Sequence, residues 1–170
     1  MKKLLLAAVA AFTITQAQAQ VPKWETDPHY VGEFTLGYGT TNKYNGINFY
    51  NGRALIGMVH GVQVSQYLQV GVGMDVGLKT HYYKGHGMRM MFDVYADIRG
   101  MYPVTKDFSP FIDMGYGVYY EAMPWNNKGA FFFQFGPGLR YKKLHYSFGL
   151  QKLGKGKGTN TFYTKLGFYF

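Results

Sequence analysis

The sequence predicts an all-β domain, an eight-stranded antiparallel up-and-down barrel. After residue 20 no segment carries apolar residues at helical spacing, whereas apolar and polar residues alternate with period two in eight segments. The chain holds 16 Tyr, 14 Phe and 23 Gly, and aromatic residues favour strands while glycines favour turns or close packing. Short and long links between the segments alternate along the chain, which is typical of an up-and-down barrel.

The N-terminal region predicts export. Two lysines precede an apolar run that ends near Ile14 and is too short to span a bilayer, and Gln16–Gln20 offers an Ala-x-Ala cleavage site. We predict a signal peptide over residues 1–19, an extended periplasmic leader over 20–29 and a barrel over 30–170. The chain has no cysteine, so we expect no lipoprotein anchor and no disulfide or thiolate chemistry.

Each predicted strand rests on its own alternation, because successive side chains of a strand point to opposite faces. Leu55 and Val59 blur the pattern of the second strand. Pro137 interrupts the sixth, where we expect a bulge or local irregularity because proline cannot donate to a ladder. In chain order the predicted strands and their main apolar residues are 30–39 (Phe34, Leu36, Tyr38), 49–64 (Ala54, Ile56, Met58, Val62), 67–79 (Leu68, Val70, Val72, Met74, Val76, Leu78), 88–102 (Met90, Phe92, Val94, Ala96, Ile98), 110–121 (Ile112, Met114, Tyr116, Val118), 130–141 (Phe131, Phe133, Phe135, Leu139), 144–153 (Leu144, Tyr146, Phe148, Leu150) and 161–170 (Phe162, Leu166, Phe168, Phe170).

The polar faces of these strands decide which side looks inward. They interleave glycines with charges of both signs. A soluble surface gains nothing from alternate glycines, which weaken strands, whereas a narrow eight-stranded lumen is filled well by glycines beside long charged side chains. We therefore predict a polar lumen plugged by ion pairs. Its predicted charges are Glu33, Arg53, Asp75, Lys79, Arg89, Asp93, Asp97, Arg99, Asp113, Glu121, Arg140 and Lys165.

The apolar faces end in aromatic residues on both sides, as lipid-facing surfaces do, and strands of about ten residues suit a tilted crossing. The sequence therefore predicts a transmembrane barrel. The aromatic residues are Tyr38, Tyr82, Tyr120 and Trp125 near the longer links, and Tyr67, Tyr102, Phe108, Tyr141 and Phe170 near the shorter ones.

Several stretches together resemble small outer-membrane β-barrel proteins of the Bacteroidetes type, with OmpA/OmpX-like architecture. They are the Gln16–Gln20 signal end, the stretch His60–Gly73, the strand Ser109–Tyr116 and the terminal Phe168–Phe170. The resemblance implies eight strands, termini in the periplasm and four longer loops outside. It also implies that Phe168 and Phe170 form the C-terminal signal read by the barrel-assembly machinery.

One pair of residues suggests catalysis. His145 and Ser147 share a strand face, so the imidazole could activate the hydroxyl. His145-Tyr146-Ser147 is similar to the His-x-Ser of outer-membrane lipid A 3-O-deacylases, barrels with a His/Ser/Glu triad. The chain departs from that pattern. Phe148 occupies the position at which the family has Asn, and Thr159 occupies the position of the family's acidic residue. The other interpretation is a hydrogen-bond network in the lumen.

Other candidate sites are weaker. The lumen charges could form a proton or ion path instead of a plug, but buried charges require partners. His81 and His86 are too few for a metal site, and the glycine-rich stretches lack the helix of a nucleotide loop. We therefore expect no metal and no cofactor. The lysines of the longer links have two interpretations. They contact lipopolysaccharide phosphates, or they only make the loops soluble. They are Lys43, Lys84, Lys128, Lys155 and Lys157.

The sequence thus favours a monomeric integral outer-membrane protein with a structural or surface-contact role and no open pore. Its expected partners are outer-membrane lipid, lipopolysaccharide and the barrel-assembly machinery. The net charge of +9 suits anionic lipid better than nucleic acid in an exported chain. The alternatives are a lipid A deacylase-like enzyme built on His145 and Ser147, and a soluble periplasmic lipid-binding barrel.

Overall fold

The computed structural model describes residues 27–41, 52–79, 89–122, 128–154 and 159–170, which form one closed barrel of eight antiparallel strands. Each strand pairs with its neighbours in the chain, and β8 closes on β1. This confirms the predicted fold class. The strands are β1 (His29–Thr41), β2 (Gly52–Ser65), β3 (Leu68–Lys79), β4 (Arg89–Met101), β5 (Phe108–Ala122), β6 (Lys128–Tyr141), β7 (Leu144–Leu153) and β8 (Thr159–Tyr169).

The strand ends define two ends of the barrel. The short-turn end carries the β2–β3, β4–β5 and β6–β7 links, and the long-loop end carries the other links. Several strands begin earlier than predicted: β1 begins at His29, which was assigned to the leader, and β5, β6 and β8 begin at Phe108, Lys128 and Thr159, which were assigned to links. The predicted signal peptide lies outside the described residues. Within those residues, no helix is long and apolar enough to cross a membrane.

Pro137 sits within β6, and the strand runs through it without changing register. Phe135 pairs with Leu150 and Gly138 with Ser147, but the β6–β7 ladder is interrupted between these pairs. The irregularity is therefore a gap in the ladder and not a bulge, because the missing proline donor removes bonds without adding a residue. Within the described strands, the pairing of β2 with β3 does contain an added residue. This register shift lies between Gln63 and Ser65, next to the β2–β3 turn.

The outer wall of the barrel is mainly apolar. The outward side chains of β3 are Leu, Val and Met, and Val72 is 53% exposed although it lies mid-strand. Polar side chains also face outward, such as Lys152 on β7 and His60 on β2, whose Nδ1 lies 2.5 Å from the Tyr30 hydroxyl. The Phe170 ring packs edge-on to His60 and covers Gly32, next to the seam that closes the barrel.

The lumen contains an apolar layer that the sequence did not predict. Met91, Tyr95, Phe132 and Leu153 are buried in one cluster in its long-loop half. Leu55 is also buried, as is Val59, so the two residues that blur the second strand's pattern are inward-facing members of the lumen lining. The charged groups lie beneath and beside this layer.

Candidate functional site in the barrel lumen

Two carboxylates face each other in the middle of the lumen. Asp75 on β3 is paired in register with Asp93 on β4, and like charges directly opposite repel each other. Each carboxylate is matched by a cation from a different strand. Arg53 Nη2 lies 2.5 Å from Asp93 Oδ2, and Lys165 Nζ lies 2.9 Å from Asp75 Oδ2. The repulsion is thereby offset by two ion pairs, both fully shielded from solvent.

Lys165 is held by more than its ion pair. Its ammonium group also donates to the Tyr95 hydroxyl and to Gln134 Oε1, each at 3.2 Å, and it lies 4.9 Å from the Tyr95 ring centroid. Tyr95 in turn donates to Asp75 Oδ1 at 3.3 Å. All three ammonium protons therefore have acceptors, which a buried lysine requires.

The short-turn half of the lumen is organised around Arg99. Its guanidinium donates to both carboxylate oxygens of Glu33: Nη1 donates to Oε2, and Nη2 donates to Oε1 at 3.1 Å. The same group donates to the Tyr169 hydroxyl at 2.9 Å, so β4 is tied to β1 and β8 across the lumen. Bidentate pairing of this kind fixes geometry as well as charge.

Arg99 also serves two further carboxylates. Its Nε lies 3.2 Å from Asp97 and 3.8 Å from Asp113, and none of the four oxygens of these two residues has a hydrogen bond within the described structure. Among the described side chains, five carboxylates and three Lys or Arg groups are fully buried in the lumen. One guanidinium therefore shares its charge among three carboxylates.

The candidate catalytic pair lies inside the barrel. His145 Nε2 is 2.9 Å from Glu33 Oε1, and its ring fills the space above Gly167. Ser147 Oγ has no hydrogen-bond partner among the described residues. His145 is 2% exposed and Ser147 1%, so the wall of paired strands separates both from any lipid outside. The arrangement is that of a packed lumen histidine.

Arg140 does not join the carboxylate network. It sits half-buried at the short-turn mouth, where it donates to Gln63 Oε1 at 3.2 Å and stacks over the Tyr169 ring at 4.6 Å. We predicted it among the lumen charges, and its side chain faces inward at their short-turn end. It lies at the mouth of the lumen because β6 ends one residue later, at Tyr141.

The remaining predicted site residues divide between the outer wall and the part of the chain outside the description. Phe168 and Phe170 both face outward. Among the described residues, no group of three or more His, Cys, Asp or Glu side chains is arranged to hold a metal ion. Of the predicted residues, Lys43, Lys84, Lys155, Lys157, His81 and His86, and the side chains of Lys79, Arg89, Glu121 and Lys128, lie outside the described part.

Sequence reasoning missed the uncharged partners in the network. Gln69, Gln134 and Tyr169 all bond to its charged or phenolic groups. The signal was present, because each falls on the inward face of its alternating strand. Inward glycines make room for them: a Cβ at Gly73 would collide with the Tyr95 ring, and one at Gly115 with Gln134.

Comparison with known proteins identifies the fold. No protein-family model and no curated protein sequence matches the chain. Among solved structures, Neisserial surface protein A (NspA) aligns with a TM-score of 0.62 at 8% identity, covering 84% of this chain and 97% of NspA. The N-terminal β-barrel domain of Pseudomonas aeruginosa OprF aligns with a TM-score of 0.51 at 14% identity, covering 82% and 97%.

A third similar structure is Ail, the attachment invasion locus protein of Yersinia pestis, in complex with the heparin analogue sucrose octasulfate. It aligns with a TM-score of 0.50 at 12% identity, covering 84% of this chain and 99% of Ail. At such identities the likeness establishes a shared architecture, the eight-stranded barrel of outer-membrane proteins.

Proposed function

We propose that this chain is an integral outer-membrane protein with a structural or surface-contact role and a closed lumen. One observation carries the proposal: the strands expose their Leu, Val, Met and Phe side chains and bury their carboxylates, ammonium and guanidinium groups. This is the reverse of a soluble protein, in which charged residues are almost never fully buried and large apolar patches are covered.

The polar lumen argues against the soluble lipid-binding alternative. A barrel that carries lipid in water needs an apolar interior and a polar exterior. Here Glu33, Asp75 and Lys165 are buried inside, and a lipid tail there would strip them of partners. The bilayer would therefore supply the apolar surroundings that the outer wall requires.

The ion pairs close the lumen because they cross it. Arg53 joins β2 to β4, Lys165 joins β8 to β3, and Arg99 joins β4 to β1. A conducting path would require these pairs to separate, which leaves uncompensated charges in a medium of low dielectric constant. The paired side chains therefore block the lumen and link strands on opposite sides of the barrel.

Location and partners form the rest of the proposal. The predicted signal peptide over residues 1–19, the outward aromatic terminus at Phe168 and Phe170, and the architecture shared with outer-membrane barrels support export and assembly in the outer membrane. We propose that the chain belongs to the Bacteroidetes-type small barrels that it resembles. The lysines of the longer links would meet lipopolysaccharide phosphates, and the protein would act as a monomer.

Planar-bilayer recording tests the closed lumen. Purified full-length protein, shown to be folded by heat-modifiable gel mobility, is expected to give negligible conductance because the paired charges fill the lumen. Steady open channels from folded protein would refute the plug. Protein that partitions with the periplasmic contents and lacks heat-modifiable mobility would refute the membrane location itself.

Ser147→Ala separates the structural role from the lipid-modifying alternative. Because Ser147 is walled off from the bilayer, we expect lipid A mass spectra of cells carrying wild-type and variant chains to be identical. Loss of a lipid A modification in the variant would overturn our choice and support the hydrolase.

A further inference from the structure

The outer wall carries an apolar groove near the short-turn end. It has a volume of about 540 Å3 and crosses four strands, from Gly100 on β4 past Ile112 and Pro137 to Phe148 on β7. Strand register places these residues in one row, since Gly100 pairs with Ile112 and Ile112 with Pro137. The groove therefore runs around the barrel wall, on the face that meets the bilayer under the function proposed above.

The groove exists because two positions in the row lack bulk. Gly100 has no side chain, and a Cβ built there meets no atom within 4 Å, so its place in the wall is open. Pro137 presents only a compact ring at the gap in the β6–β7 ladder. Ile112, Leu139 and Phe148 stand out around this depression with about half of their surfaces exposed. Its lining is almost wholly apolar, which suits a hydrocarbon chain.

A basic edge borders the groove at the short-turn end. Lys142 and Lys143 form the β6–β7 turn and Lys106 lies in the adjoining β4–β5 link, with Asp107 the one acid among them. The two links touch, because the Lys142 amide donates to the Asp107 carbonyl at 2.7 Å. Three ammonium groups and one carboxylate leave this edge positive.

Two of these ammonium groups lie against the outer wall. Lys142 Nζ is 5.6 Å from the Tyr141 ring centroid and Lys143 Nζ is 5.9 Å from that of Phe168, and both rings face outward. The lysines thus direct their charge to the side on which lipid headgroups would stand. Leu139, in the groove wall, precedes Lys142 by three residues, about 10 Å along a strand.

We propose that the groove and the basic edge form one binding site for a glycerophospholipid with an anionic headgroup. One acyl chain lies in the Gly100–Phe148 groove, and the phosphate lies at Lys142 and Lys143. The spacing matches a lipid in the leaflet at the short-turn end, whose chains begin just inside the headgroup layer. Lysines near a membrane surface each add attraction for anionic lipid, which gives the site its headgroup preference.

The test uses full-length protein in phosphatidylcholine vesicles that contain a photoactivatable acyl-diazirine lipid, either phosphatidylglycerol or phosphatidylcholine. Cross-linked residues are mapped by mass spectrometry. The site predicts that labelling concentrates on the groove residues and is several-fold stronger with phosphatidylglycerol. Gly100→Leu, which fills the groove, should reduce groove labelling to the level of the rest of the wall.

Two further variants make the result specific. Ala96→Leu adds similar bulk, one methyl group less than Gly100→Leu, to the outward face of β4 outside the groove and should leave the labelling unchanged. Lys142→Asn combined with Lys143→Gln should keep groove labelling but remove the preference for phosphatidylglycerol; Asn tolerates the positive φ of 54° at residue 142.

The lipid site is proposed for a protein that spans the membrane, and the outcomes distinguish failure of the site from failure of that membrane location. Inserted, heat-modifiable protein that labels evenly around the wall, or that responds alike to Gly100→Leu and Ala96→Leu, overturns the site alone. Equal labelling by both lipids overturns the headgroup assignment. Protein that does not insert into vesicles overturns the proposed location and the site together.

Discussion

The two faces of the same strands obey different rules. On β3 the outward Leu68, Val72 and Met74 are interchangeable apolar residues with 38 to 53% of their surfaces exposed. The inward Gln69 and Asp75 are buried, and each contacts a particular residue across the lumen. The outer face is uniform because its surroundings are uniform. The inner face is varied because every position must fit one neighbour in size and charge.

The largest effect should come from the inner face. Arg99→Met removes the cation shared by Glu33, Asp97 and Asp113, which leaves Asp97 and Asp113 without a cation and Glu33 with only the His145 ring. We expect the free energy of unfolding to fall by about 3–5 kcal/mol, measured by urea titration in detergent micelles. Arg140→Met is the matched control, because that guanidinium has no carboxylate partner in the described lumen and should cost far less. Equal losses in the two variants would contradict the network.

The outer face should respond to charge according to depth. Val72→Arg near the bilayer midplane should lower the free energy of unfolding in lipid vesicles by about 2–4 kcal/mol, whereas a charge near the interface costs about 0–1 kcal/mol. Leu78→Arg, close to the long-loop end of the same strand, supplies the shallow position. If both substitutions were tolerated equally well, the outer wall would not face hydrocarbon.

The smallest effect should come from a single methyl group. Gly167→Ala places a Cβ against the His145 ring, which is buried in the lumen with Nε2 2.9 Å from Glu33 Oε1. We expect a loss of about 1–3 kcal/mol in the same urea titration, as for other overpacked sites. Gly129→Ala is the control, since its Cβ would have no neighbour closer than 3.8 Å. Indistinguishable stabilities would show that the lumen is looser than the contacts indicate.

The fold and the inward or outward sense of most residues follow from the sequence, because both depend on a period of two that each strand displays by itself. The ion-pair partners do not. Glu33 and Arg99 are 66 residues apart and on strands that are not neighbours, so their contact depends on barrel closure and strand stagger. No local pattern contains that information.

The apolar layer and the groove were hidden for a different reason. Leu55 and Val59 look like noise in an alternating strand, because an apolar residue on the inward face breaks the simple rule of polar inside. Gly100 resembles every other glycine in the sequence, yet it faces outward and opens the wall, whereas Gly73 faces inward and accommodates Tyr95. Only the assembled barrel distinguishes these roles.

The opposite character of the two faces can be measured directly on β3. The chain has no cysteine, so single cysteines can be placed at each residue of Leu68–Lys79 and labelled with a nitroxide in vesicle-inserted protein. We predict that collision with dissolved oxygen alternates along the strand, with maxima at the outward positions and the highest values at Val72 and Met74. High accessibility of those two positions to a water-soluble relaxation agent would contradict the account.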